Sequence, residues 1–191
     1  MEIKHLHLKS CESTQEELKQ QLSTSLPFLI STEEHTNARG THHRTCDFHP
    51  NSIAMSFSLL PHPKMTLSSL ELGILIADFF HSYNITLKWP NDLMNPLAEK
   101  VGGILIEKIN GILICGLGIN IQSSQQSSHQ ANYKIPHGNI DLSLGPYQGY
   151  DQKKLCYQLY SFILENRIQD TREVTHRWNQ LCCHLNKKVT L

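Results

Sequence analysis

The sequence has no excess charge of either sign: lysine and arginine together number 17, and so do aspartate and glutamate. No broad positive field therefore draws the chain onto nucleic acid or an anionic membrane, and any anionic ligand must be held by a local arrangement. No run approaches the roughly 18 apolar residues of a membrane helix, and the first residues, MEIKHLHLKS, lack the apolar stretch of a secretory signal. The six cysteines, Cys11, Cys46, Cys115, Cys156, Cys182 and Cys183, contain no C-x-x-C pair and no regular framework. That spacing fits reduced thiols better than a disulfide scaffold. These absences predict a soluble, cytoplasmic protein that binds neither DNA nor membrane. Core-forming residues are not in short supply. Hydrophobic residues make up 39% of a 191-residue chain, enough for one domain around a single core.

The chemistry-bearing residues concentrate between Leu87 and Glu107, LKWPNDLMNPLAEKVGGILIE. Leu87 to Trp89 reads as the end of a short strand, and Pro90 stops the ladder because it has no N–H. Lys88, Asn91 and Asp92 then project from a strand end. After a loop containing Pro96, the chain re-enters sheet at Lys100, and Gly102-Gly103 allows close approach to the backbone. A ligand carbonyl or phosphate fits that opening.

Along the rest of the chain, Ile3 to Leu8 reads as a strand. Ser13-Thr14-Gln15-Glu16 matches a capping box that opens a helix to about Gln21. Phe28 to Thr32 is a strand, and residues 33–52 have loop composition without periodicity. Ser52 to Leu59 alternates Ile53, Met55, Phe57 and Leu59 inward as a half-buried strand. Thr66 is the expected cap of a helix with Leu67, Leu70, Ile74 and Ala77 on its apolar face, ending near Tyr83-Asn84. Two apolar runs flank Asn110-Gly111, the strongest short hairpin signal, and both read as mid-sheet strands. Residues 121–150 are polar and predict an exposed connection. Two amphipathic helices follow, with Leu155, Leu159, Phe162 and Ile163 on one and Val174, Trp178, Leu181 and Leu185 on the other.

KWPND, then K-x-G-G-I-L-x-E from Lys100, then GLGIN from Gly116 to Asn120, in this order and at these spacings, resemble the catalytic domain of the biotin protein ligases. The resemblance runs from about Ile3 to Val189. It implies an α+β fold, a mixed β-sheet covered by helices and related to the lipoate ligases and class II aminoacyl-tRNA synthetases. It also implies a single catalytic domain over 1–191, without an N-terminal DNA-binding domain and with a C-terminal SH3-like β-barrel absent or only begun at 187–191. Residues 35–46 correspond to a glycine- and arginine-rich adenylate loop, approximately Q-T-x-G-R-G-R-x-G-R-x-W. Thr36, Arg39, Gly40 and Arg44 are kept there. His35 stands at the Gln, Ala38 and His43 at glycines, Thr41 at an arginine and Cys46 at the Trp.

By resemblance the substrates are biotin and ATP with Mg²⁺ as counter-ion, the product is biotinyl-5′-AMP, and the acceptor is a lysine of a biotin carboxyl carrier protein. A homodimer is compatible with this. Lys100, Asp92 and Arg39 are the candidate catalytic residues, Asp92 also as a Mg²⁺ ligand. Ser13, Thr14, Gln15, His35, Gly102, Gly103, Gly116 and Gly118 are candidates for the biotin site. Arg39, Gly40, Arg44, Lys88, Trp89, Asn91 and Asn120 are candidates for the nucleotide site. Three other readings stay open. They are a lipoate or octanoate transferase of the same fold, a catalytically weak biotin-binding regulatory protein, and a metal site at His43-x-x-Cys46-x-x-His49 with His35 and His42 nearby.

Overall fold

Seven strands form one mixed sheet in the order β1-β2-β3-β7-β6-β5-β4. The computed structural model describes residues 2–21, 27–36, 52–121, 137–143 and 145–185. The strands are β1 (Lys4–Cys11), β2 (Phe28–His35), β3 (Ile53–Leu59), β4 (Thr86–Lys88), β5 (Asp92–Met94), β6 (Lys100–Ile109) and β7 (Ile112–Ile119). Only β1 and β2 run parallel, and every other neighbouring pair is antiparallel. The helices are α1 (Thr14–Gln21), α2 (Ser68–Phe79), α3 (Gln152–Glu165) and α4 (Thr171–Leu181). This is the expected α+β class.

The period-two alternation of the strands divides the sheet into two faces. Ile53, Met55 and Phe57 of β3, Cys115 and Leu117 of β7 and Ile104 of β6 join the main core, which α2, α3 and α4 cover. The opposite face carries a smaller cluster, Leu18 of α1 with Phe28, Ile30 and Ile114. Because α1 packs over β2, β3 and β7, β3 is buried on both faces rather than half-buried. The hairpin at Asn110-Gly111 forms as read, with φ of 50° and 82°, the left-handed pair that Asn-Gly favours.

Several local expectations need correction. Thr66 does not cap α2. It lies inside a 3₁₀ turn, Met65–Leu67, and Ser68 Oγ instead accepts from the His62 N–H at 3.1 Å. β5 lies where the reading placed only loop. The connection after β7 is not simply exposed, since Ile140 and Leu142 are each 2% exposed. Leu185 does not extend the apolar face of α4, because the helix ends at Leu181 and Cys182 turns into an extended bridge with Leu87. Cys11, Cys115, Cys156, Cys182 and Cys183 form no disulfide, and Cys46 lies outside the described residues. No helix among the described residues is long and apolar enough to cross a membrane.

Helix α2 is buried almost all round and carries one charge inward. Glu71 is fully buried and accepts from Arg167 Nε at 2.6 Å, from Arg167 Nη2 at 3.0 Å and from the Ile168 N–H at 2.9 Å. Both carboxylate oxygens are satisfied, which lets a charge sit in the core and ties α2 to the α3–α4 connection. Glu71→Ala leaves the Arg167 guanidinium poorly paired and is expected to cost about 3 to 5 kcal/mol in urea unfolding. A loss below about 1 kcal/mol would remove this pair from the account of the fold.

A second polar cluster predicts a pH dependence. Ser31 Oγ sits between His5 Nε2 at 2.8 Å and His7 Nδ1 at 2.7 Å, with Tyr157 stacked on His5. Burial, with His7 and Lys153 adding to it, pushes the His5 imidazole down to about 4. The unfolded chain therefore binds a proton that the folded chain refuses, so stability present above the ordinary value of 6.5 is lost as pH falls from there toward 4. Urea midpoints measured from pH 7 to pH 4 should decline, and more shallowly in His5→Gln.

Candidate active site

Residues paired directly across neighbouring strands share a face. One such row reads Thr32, Ala54, Gly118, Gly103, Asp92 and Lys88 from β2 to β4. Its middle three positions carry a methyl group or nothing, so they form a flat floor. Among the described residues a Cβ at Gly118 would meet nothing within 4 Å, which leaves the floor open toward them. The next row, Ile30, Ser56, Gly116 and Leu105, lies under α1. Here Thr14 Oγ1 and Ser56 Oγ share a hydrogen bond of 2.8 Å, and Gln15 Nε2 donates to Ile114 O at 3.4 Å. Gln15 Oε1 lies 2.9 Å from where a Gly116 Cβ would sit, so glycine makes room for the glutamine. That end of the floor is polar and uncharged.

The other end is charged. Asp92 accepts from Lys100 Nζ at 2.5 Å through one oxygen, and Lys88 Nζ lies 3.5 Å from the other. The carboxylate is only 12% exposed, and two ammoniums around it leave one net positive charge. A bulge puts Lys100 there. Leu93 pairs with Gly102 but Met94 pairs with Lys100, so Val101 is an extra residue that turns Lys100 to the Asp92 side. The lysine then passes over Gly103, its Nζ 3.7 Å from the position a Cβ would occupy.

Thr14, Gln15, Gly103, Gly116 and Gly118 are thus brought onto one face with Lys88, Asp92 and Lys100. Gly102 is not. It pairs with Ile119, and its Cβ position faces the core, where a Cβ would collide with Gly118 O, so strand packing alone already requires glycine there. Ser13 Oγ accepts from the Glu16 N–H at 3.3 Å and caps α1. Asn91 donates from Nδ2 to Ile104 O at 2.7 Å, clipping the β4–β5 turn to β6. Asn120 donates from Nδ2 to Gly138 O at 3.2 Å. Trp89 is 56% exposed and packs edge-on against Trp178. His35 lies at the end of β2 opposite Cys11, where burial holds its imidazole below the ordinary value.

Arg39, Gly40, Arg44 and the His42, His43, Cys46, His49 group lie outside the described residues. Among the described residues no cluster of three or more metal-ligating side chains occurs. Sequence reasoning missed Ala54, whose place in the floor follows from strand pairing, and Gly138, a lone glycine in a polar stretch whose neighbours are set by the fold.

No protein-family model matches the chain. Solved structures do. Biotin protein ligase from Leishmania major in complex with biotin superposes with a TM-score of 0.78 at 18% identity, covering 99% of this chain and 84% of that one. The Aquifex aeolicus biotin protein ligase in complex with biotin and ATP gives 0.77 at 24% identity, covering 95% and 79%. The biotin acetyl coenzyme A carboxylase synthetase of Helicobacter pylori, with bound biotinylated ATP, gives 0.70 at 22% identity, covering 94% and 81%. The chain has the biotin protein ligase fold. On this biotin-ligase sheet, a flat floor runs between neutral hydrogen-bonding groups and a cationic end. Such a slot suits an elongated ligand with a polar, uncharged head and an anionic tail.

Two glycines on neighbouring strands, Gly102 of β6 and Gly118 of β7, should separate in a stability measurement. Gly102→Ala drives a methyl into the β7 backbone and is expected to cost about 1 to 3 kcal/mol. Gly118→Ala meets open space and should shift the urea midpoint little, the lost backbone freedom of the unfolded chain offsetting any cost. Equal destabilisation by both would show that the two faces are assigned wrongly.

Proposed function

We propose that the chain activates biotin with ATP to biotinyl-5′-AMP and transfers the biotinyl group to a lysine of a biotin carboxyl carrier protein. The observation that carries this is the floor of Ala54, Gly118 and Gly103 ending at Lys100, Asp92 and Lys88. It sits on a fold whose solved examples hold biotin, ATP and biotinylated nucleotide.

In this reading the bicyclic ring lies over the glycines with its ureido group toward Thr14 and Gln15, Ser13 closing the same end, and its carboxylate points to Lys100. The carboxylate oxygen attacks the α-phosphorus of ATP and pyrophosphate leaves. Lys100 and Lys88 let the two anions meet and stabilise the charge that builds on the phosphoryl oxygens. Entry of a second anion also gives the ammoniums a partner other than Asp92, which frees that carboxylate. In the second step the carrier's lysine amine attacks the acyl carbon, the bond to AMP breaks, and Asp92 takes the amine's proton. Arg39, Gly40 and Arg44 are assigned to the phosphates by resemblance, and Trp89 to the edge of the nucleotide site.

Mg²⁺ belongs to this reading as the counter-ion that ATP brings. As a resident metal ligand Asp92 does not fit, since it is a single carboxylate with a lysine ammonium at each oxygen. The amide groups of Asn91 and Asn120 are engaged with backbone carbonyls in this arrangement. A lipoate or octanoate transferase would set an apolar end, a dithiolane ring or an alkyl terminus, against the Thr14 hydroxyl and the Gln15 amide, which the biotin reading fills with a hydrogen-bonding group.

Pyrophosphate release with ATP and biotin, compared with ATP and lipoate or octanoate, tests the proposal. Release that depends on biotin supports it, whereas dependence on the other acids, or none, overturns it. Lys100→Ala should lower the biotin-dependent rate on the order of a hundredfold or more, while leaving the urea midpoint near that of the parent protein. A near-normal rate would remove Lys100 from the chemistry.

A further inference from the structure

The bulge that aims Lys100 creates a structural problem. An extra residue in one strand leaves backbone groups that the ladder cannot satisfy. Here Lys100 O is satisfied from outside the named strands, accepting from the Gly138 N–H at 2.9 Å, while Val101 O continues the β6–β7 register and accepts from the Asn120 N–H at 2.7 Å. Asn120 then closes the circuit: its Nδ2 donates to Gly138 O at 3.2 Å, and its own carbonyl accepts from the Ile140 N–H at 2.8 Å. Residues 137–140 thus lie along the start of β6, with Lys100 bridged to His137 and Ile121 to Ile140. Ile140 and Leu142, each 2% exposed, anchor the segment in the core.

Gly138 fits because it has no side chain. A Cβ there would collide with Glu99 Oε2, lie 2.7 Å from Asn95 Nδ2 and lie 2.7 Å from Glu99 Cβ. These two residues are joined by a hydrogen bond of 2.8 Å in the β5–β6 connection. The strap, the bulge and that connection are therefore packed as one unit, with Lys100 at its centre.

We propose that residues 137–140 act as a strap that positions Lys100, with Asn120 and Gly138 as its positioning residues. The Asn120 side chain acts through Gly138, whose N–H holds the Lys100 carbonyl, independently of any contact it makes to a nucleotide. The use of a positioned Lys100 rests on the ligase reading, but the positioning itself does not. Without the strap, β6 can pair in regular register past Val101, which would turn Lys100 away from Asp92.

The experiment is competitive amine labelling with acetic anhydride, read by peptide mass spectrometry, on the whole chain without substrates. Lys19 is the internal reference, since it pairs with Glu16 and Glu107 well away from the strap. In Asn120→Ala and Gly138→Ala, the Lys100 labelling rate should change at least about threefold relative to Lys19, faster where the released ammonium reaches water and slower where it turns to the core side, the size expected when a partly exposed ion pair is lost. A Lys100 rate within about twofold of the parent in both variants overturns the proposal. If Gly138→Ala unfolds, seen as acceleration at Lys19 too, Asn120→Ala decides alone, because it removes one side-chain bond and introduces no clash. Unfolding of both would also overturn it, since the segment would then be a stability element. No nucleotide is present, so a direct Asn120–nucleotide contact cannot produce the effect. Absence of biotin-dependent pyrophosphate release in the parent would sink the ligase reading and leave the labelling outcome standing.

Discussion

Two lysine ammoniums share one mostly buried carboxylate at the end of a flat strip of sheet, and the rest of the site is arranged around that fact. An ion pair in this position is worth little for stability, because partial desolvation offsets much of the Coulomb gain. Its value is in placement. Asp92 holds both ammoniums near one point before any anion arrives, and the local excess of one positive charge then favours an anion over water. The chain as a whole carries no net charge, so this attraction is confined to the site and does not extend over the surface.

That placement depends on interruptions of regular structure. A uniform ladder would alternate Lys100 to the core side with Gly102 and Ile104. The bulge at Val101 reverses the parity, and the Gly138 N–H occupies the Lys100 carbonyl beside it. The short β4–β5 hairpin works in the same way. It is too small to be stable alone, and Asn91 fastens it to β6 through the Ile104 backbone on both its donor and its acceptor side.

How far the sequence could be read follows from the range of each interaction. The Asn110-Gly111 hairpin and the Ser13 cap were legible because they depend on residues next to one another. The long strands were legible from alternation. β5 was not, since three residues between two prolines contain too little pattern to register. In the site, residue type pointed to Lys88, Asp92 and Lys100, whereas the shared face of Ala54, Gly103 and Gly118 emerges only from strand pairing. Gly102 and Gly103 read as one motif and prove to be two features facing opposite ways. Gly138 had no local signal because the atoms it avoids, on Asn95 and Glu99, are distant in sequence. Arg39, Gly40 and Arg44 fall outside the described residues.

The two-sided character of β6 and β7 has an evolutionary consequence. Core-facing residues such as Ile104, Leu117 and Gly102 are held by packing, and a change there is felt through the whole domain. Gly118, on the other side of the same backbone, has no neighbour among the described residues where a Cβ would stand, so a change there alters the depth of the floor without touching the core. Ligand shape and foldability are therefore inherited separately in this sheet. A lineage could drift toward a shorter or thinner ligand by adding single methyl groups along one row, with no compensating change in the core.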